Sequence, residues 1–282
     1  MTLHVVRLLI AVTETDGGET KKNTFIPAAA EFSGALPKRD VVEFLEWLKQ
    51  NLPEYKPGSP DEPGEGYTQF GTIDAPKSVR NSPLEDSMQI AKIRYQKEEY
   101  EENEAYVDGE FRMVHTREVD SADVFWANQI VLFQGSRSAS SAARSKLQTK
   151  FINDLRIQAV HINPGIYRDL QSLPLKYVDQ LELEDTLSVS VKGAGDVSQM
   201  RLSGRADSNM YDKYFPEHGK VSHLINDFRF YNYRIVSSIS NDSIHIYSLN
   251  HPHRSVDSSE RLFVSLLFLI RLVDISLERK ES

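Results

Sequence analysis

The segment with the most chemical promise is Gly135-Ser136-Arg137-Ser138, where the apolar run Ile130-Val131-Leu132-Phe133 gives way to a helical pattern. The first turn of a helix leaves backbone N–H groups without intrahelical partners, and the helix dipole adds partial positive charge there. Hydroxyls and a guanidinium at that point supply charge-assisted hydrogen bonds to a phosphate or another anion. Arg144, Lys146, Lys150 and Arg156 follow, with Asp154 the one acid among them. Gly135, Ser136, Arg137, Ser138, Arg144, Lys146 and Arg156 are therefore the expected ligand-binding surface, with nucleic acid or another phosphate ligand the expected partner. The plainer alternative is a serine-capped helix with a solvated basic face. Walker spacing and the dinucleotide glycine pattern are both absent from the sequence.

A second constellation is Arg229-Phe230-Tyr231-Asn232-Tyr233-Arg234. On one continuous strand, alternation puts Arg229, Tyr231 and Tyr233 on a common face. Two aromatics beside an arginine suit the stacking of unpaired bases, although strands favour aromatics for packing reasons alone. These three residues are the expected secondary contacts. His251-Pro252-His253, with Asp257 or Glu260 nearby, offers imidazole and carboxylate ligands for a metal-dependent hydrolase, the alternative enzyme reading. A turn around Pro252 explains the same pattern. Asp179, Glu182, Glu184, Asp185 and Lys192 lack the acid–any–lysine spacing of a restriction-type nuclease. There is no Gly-x-Ser-x-Gly elbow. The expectation is a binding protein without catalytic residues, metal or cofactor.

The run Glu98-Glu99-Tyr100-Glu101-Glu102-Asn103-Glu104 reads as a solvated loop or helix end. Its functional alternative, and the third reading of the chain, is an acidic surface that docks a basic partner protein. Leu262, Phe263, Leu266, Leu267, Ile270, Val273 and Leu277 leave a terminal helix with little polar face. Such a helix is either central to the core or shared between subunits. A homo-oligomer formed through Leu262, Leu266 and Ile270 is the expected partner arrangement.

Composition bounds these readings. The 282 residues are 40% hydrophobic and 26% charged, as in a globular protein. The absence of cysteine excludes disulfides, thiolate metal sites and thiol nucleophiles. Met1 to Arg7 has no signal-peptide pattern, and the apolar run from Leu262 to Ile270 is too short to span a bilayer. A cytoplasmic protein is expected. Residues 1–120 hold 14 Lys and Arg against 23 Asp and Glu, while residues 121–282 hold 19 against 18. The charge step suggests an acidic N-terminal domain (1–120) and a near-neutral C-terminal domain (121–282).

The elements that must position these groups follow from periodicity. Strands are expected at Leu3–Val12 and, as its partner, at Asn23–Phe32. A helix follows from about Lys38 to Leu52, then a Pro/Gly-rich loop over 53–66 within one domain. Asp108-Gly109 marks a tight hairpin, and Val124–Phe133 reads as a strand region buried on both faces. Ile130–Phe133, the helix that follows and Ile157–Ile162 form a strand–helix–strand unit with neighbouring parallel strands. Leu187–Val191, Met200–Leu202, Tyr231–Ile239 and Ile244–Leu249 add strands, and a helix over Ser259–Leu277 ends the chain. The fold class is α+β, with a mostly antiparallel mixed sheet.

Overall fold

The computed structural model describes residues 12–13, 24–32, 41–79, 82, 84, 89–107, 110–153, 155–160, 181–194, 197–203, 220–240 and 243–278. Twelve strands among them make one sheet: β1 (Val12–Thr13), β2 (Thr24–Phe32), β3 (Glu65–Ile73), β4 (Ile90–Val107), β5 (Glu110–Ala127), β6 (Ile130–Gly135), β7 (Leu155–Ala159), β8 (Leu181–Ala194), β9 (Val197–Ser203), β10 (Lys220–Phe230), β11 (Tyr233–Ser240) and β12 (Ile244–Asn250). Three α-helices accompany it: α1 (Val41–Asn51), α2 (Arg137–Lys150) and α3 (Ser258–Glu278). The strand order is β3-β4-β5-β6-β2-β12-β11-β10-β8-β9, with β1 added to β5 and β7 to β2. Every pairing is antiparallel except that of β1 with β5. The fold is α+β.

Both faces of the sheet are covered, and the alternation of side chains sorts two cores. Val131 and Phe133 of β6, with Val124 and Trp126 of β5, meet Phe44, Leu45 and Leu48 of α1 and Ala139, Ala143 and Leu147 of α2. Ile130 and Leu132, with Phe125 and Ala127, turn to the opposite face and the α3 core. The expected burial of Val124–Phe133 on both faces is therefore present. The segment is two strands, however, joined by a turn at Asn128-Gln129 with Asn128 at φ +52°.

Helix α3 lies wholly in the second core, with every residue from Phe263 to Ile270 buried. Asp257 caps it, accepting from the Glu260 amide at 2.9 Å, as its position in the sequence suggests. Arg271 finds Asp274 one turn on, at 3.1 Å. Of the two readings of this helix, core or subunit interface through Leu262, Leu266 and Ile270, the described chain shows the core one. Leu266 is 0% and Ile270 5% exposed within a single chain, and Leu262 packs on the same core. An apolar stripe wider than one face is used by covering the helix intramolecularly.

The strand–helix–strand unit is β6-α2-β7, and β6 and β7 do run the same way, but β2 lies between them and pairs antiparallel with both. The strand at Asn23–Phe32 exists, and its partners are β6, β7 and β12; residues 1–11 lie outside the described residues. The charge step at 120/121 falls inside β5, in a sheet that draws strands from both sides of it. No described helix is long and apolar enough to cross a membrane.

Candidate functional site

β4 and β5 pair residue for residue from Ala91↔Trp126 to Val107↔Glu110, around residues 108–109, which are not among those described. Val107 and Glu110 are thus opposite each other, the register that a two-residue connection requires. The run Glu98–Glu104, read from sequence as loop or helix end, is corrected to the middle of β4. Glutamate disfavours strands only weakly when both faces of the ribbon meet water, and cross-strand partners on β5 outweigh that preference.

Beyond Lys97 the two strands leave the sheet. Among the described residues, β3 pairs with β4 no further than Lys97. Among the described residues, β5 from Glu110 to Thr116 pairs with β4 alone, with β1 and β6 joining nearer the base. Those residues form a two-stranded arm of about 30 Å, taking nine residues at the usual strand rise. Its register sorts its faces. Tyr106 pairs with Phe111, Glu104 with Met113 and Glu102 with His115 on one side. Tyr106 is 66% exposed, Phe111 70% and Met113 57%. The Tyr106 and Phe111 rings meet edge to face with centroids 5.1 Å apart. Around them residues 99–118 hold seven acids against Arg112 and Arg117.

The base of the arm is locked by one carboxylate. Glu98 has a fully buried side chain, and its oxygens accept from Tyr55 Oη at 2.5 Å, Gly64 N at 2.8 Å, Gly58 N at 2.9 Å and Tyr100 Oη at 3.2 Å. Arg117, across the ribbon, completes an ion pair with it and also donates to Tyr55 Oη at 2.7 Å. Burial alone would raise this carboxyl. The Tyr55 hydroxyl, the Gly64 and Gly58 amides and the Arg117 charge outweigh burial and hold it at about 2. The Pro/Gly-rich loop thus folds onto the arm. Its glycines are required by close approach, since a Cβ at Gly58 would lie 2.2 Å from Glu62 O and one at Gly64 2.2 Å from Lys56 O.

At the Gly135–Ser138 junction, Ser136 is the N-cap of α2 and accepts from Ala139 N at 2.9 Å. Its hydroxyl donates to Asp120, which also accepts from Ser121 N at 3.0 Å. A carboxylate of the chain itself therefore stands beside the helix start. Gly135 serves strand packing: a Cβ there would lie 2.4 Å from Ser121 O on β5. Arg137 and Ser138 are exposed, and Lys97 Nζ donates to Ser138 Oγ at 2.7 Å. Arg137 and Arg144, seven residues apart, share one flank of α2, while Lys146 lies on the other and pairs with Glu65 at 2.9 Å. Arg156 is exposed on β7.

The Arg229–Arg234 constellation is also rearranged. A two-residue turn at Tyr231-Asn232 separates β10 from β11, with Tyr231 at φ +52°. Arg229 then pairs with Arg234, and Phe230 with Tyr233, on opposite faces of a hairpin. The common face of Arg229, Tyr231 and Tyr233 is thereby corrected. Arg229 is exposed, Tyr231 is partly buried against the α3 core, and Tyr233 is buried. Tyr233 donates to Glu260 at 2.5 Å, and burial together with that carboxylate pushes its hydroxyl up to about 12. Glu260 is held by Arg254 as well, at 2.6 Å from Nη1. His251 Nδ1 accepts from the His253 amide at 3.3 Å, and Asp257 is engaged as the α3 cap. No group of three or more potential metal ligands occurs among the described residues. No family model matches the chain. No curated protein matches it in sequence either.

Sequence reasoning missed Glu98, Arg117 and Tyr55, which come from three separate segments. It also passed over Tyr106, Phe111 and Met113 as contact residues. The available signal was the period-two placement of Tyr100, Glu102, Glu104 and Tyr106 ahead of Asp108-Gly109.

Proposed function

We propose that the chain is a non-catalytic binding protein that docks a basic protein segment along its acidic arm. The observation that carries this reading is the pairing of an exposed Tyr106–Phe111–Met113 tip with glutamate-lined flanks on a strand pair whose edges are open among the described residues. Exposed aromatics anchor interfaces, while surrounding charge steers association and selects partners of opposite sign. Open strand edges accept an extended segment by backbone hydrogen bonding. The same charge opposes nucleic acid and a second copy of the arm. A cytoplasmic location suits a chain without cysteine. The nucleic-acid reading of Gly135 to Arg156 has less support, because Asp120 stands at the helix start and Lys146 faces Glu65.

The test is fluorescence anisotropy with a labelled decapeptide of alternating lysine and valine, titrated with the full chain. Binding is expected to fall with added salt and by about tenfold or more, roughly 1.4 kcal/mol, in the triple variant E101K/E102K/E104K. Equal binding by the variant overturns the reading. So does salt-sensitive binding of labelled DNA that is weakened by R137A with R144A while the peptide does not bind.

A further inference from the structure

We infer that Asn226 and Ser237 hold one internal water molecule between the middle of the sheet and α3. The two residues are directly paired across β10 and β11, so their side chains leave the sheet on the same face. Both are 0% exposed. Among the described residues, Asn226 Nδ2, Asn226 Oδ1 and Ser237 Oγ have no hydrogen-bond partner. The neighbouring pair on that face is Phe228 with Ile235, and Ile239 lies two residues beyond Ser237 on the same side of β11. Phe228, Ile235 and Ile239 belong to the α3 core, where Phe228 meets Phe268 at 5.2 Å between ring centroids. Three buried polar atoms thus sit in an apolar layer. Leaving such groups unmatched costs more than a typical hydrogen bond contributes, so native interiors match them with protein or with water.

The sheet is irregular on both sides of this pair. β8 carries an extra residue, Leu187, between the partners of Ile225 and Asn226. β12 carries one, Tyr247, between the partners of Val236 and Ser237. A bulge bends its strand and breaks the even spacing of the ladder. Two register shifts thus flank the one polar pair. An internal water needs two to four polar partners. The Asn226 amide donates and accepts, and the Ser237 hydroxyl does either. One water that accepts from Asn226 Nδ2 and gives one proton to Ser237 Oγ and the other to Asn226 Oδ1 matches all three atoms without polar groups from α3.

Two measurements test this. In the deuterated, nitrogen-labelled full chain, the Asn226 side-chain amide, assigned by its loss in Asn226→Leu, is expected to show a cross-peak to a long-lived water. No such cross-peak overturns the inference. In thermal unfolding, Asn226→Leu and Ser237→Ala are each expected to lower the midpoint by about 2–4 °C. The double variant should lose less than the sum, because either change alone already breaks the bridge. Single variants that raise the midpoint, with additive effects, mark a dry pair and overturn the inference as well.

Discussion

Two regions of the sheet solve opposite problems. Around β10, β11 and β12 the sheet is roofed by α3, whose residues from Phe263 to Ile270 are all buried. In the other region β4 and β5 run out past their neighbours, among the described residues, with glutamates on both faces. The first region is held mainly by apolar area, which acts without direction, with the buried Glu260, Arg254 and Tyr233 cluster at the start of α3 beside it. The second is held at its root by one carboxylate with five polar partners, which is directional and titratable. An arm without a core of its own needs such an anchor, since an isolated two-stranded hairpin is marginal in water. The comparison also gives the glutamates a second role. Charged residues on an open strand keep it from pairing with stray chains, so the acidic flank protects the arm as well as selecting its partner.

The largest expected effects come from removing the main support of each region. Phe268→Ala and Glu98→Ala should each cost about 3–5 kcal/mol in chemical denaturation, the first by leaving a cavity and the second by stranding Arg117 and two amides. Their pH dependence should separate them. The cost of Phe268→Ala is expected to stay flat in acid, whereas that of Glu98→Ala should shrink. Equal behaviour in acid would break the contrast drawn above.

A somewhat smaller effect belongs to acid itself. The Glu98 carboxyl lies at about 2 in the folded chain against an ordinary 4.5. Because the folded value is the lower one, the stabilisation is present above the ordinary value and is lost as pH falls from about 4.5 to about 2. It is worth about 3 kcal/mol at neutral pH. Hydrogen exchange of the Gly58 and Gly64 amides, followed down that window, should accelerate before α3 opens. Simultaneous opening of both regions would show that they do not differ in this way.

The smallest effect concerns the tip. Tyr106→Ser with Phe111→Ser should leave stability within about 0.5 kcal/mol, since neither ring enters a core. The same variant should lose peptide binding in the anisotropy assay. Destabilisation well beyond that figure would mean that the tip supports the fold.

Much of the fold was legible because periodicity is local. The helices, the Asp108-Gly109 hairpin, the Asp257 cap and the two-sided burial near Val124–Phe133 all follow from the spacing of neighbours in the chain. Tyr231 and Asn232 misled because Tyr231 favours strands and Asn232 was the one turn-forming residue of the pair, with no glycine or proline beside it. Glu98 looked like its solvated neighbours because burial is not a property of residue type.

From sequence alone came the α+β class, the acid-rich first 120 residues and an apolar last helix, since each depends only on composition and short-range order. Tertiary structure decided that the helix roofs one core of its own chain, that the acidic run is an arm, and that Asp120 stands beside the expected anion site. Those outcomes depend on residues far apart in the chain, such as Tyr55, Glu98 and Arg117, whose meeting is set by strand order and register. No local pattern encodes that order.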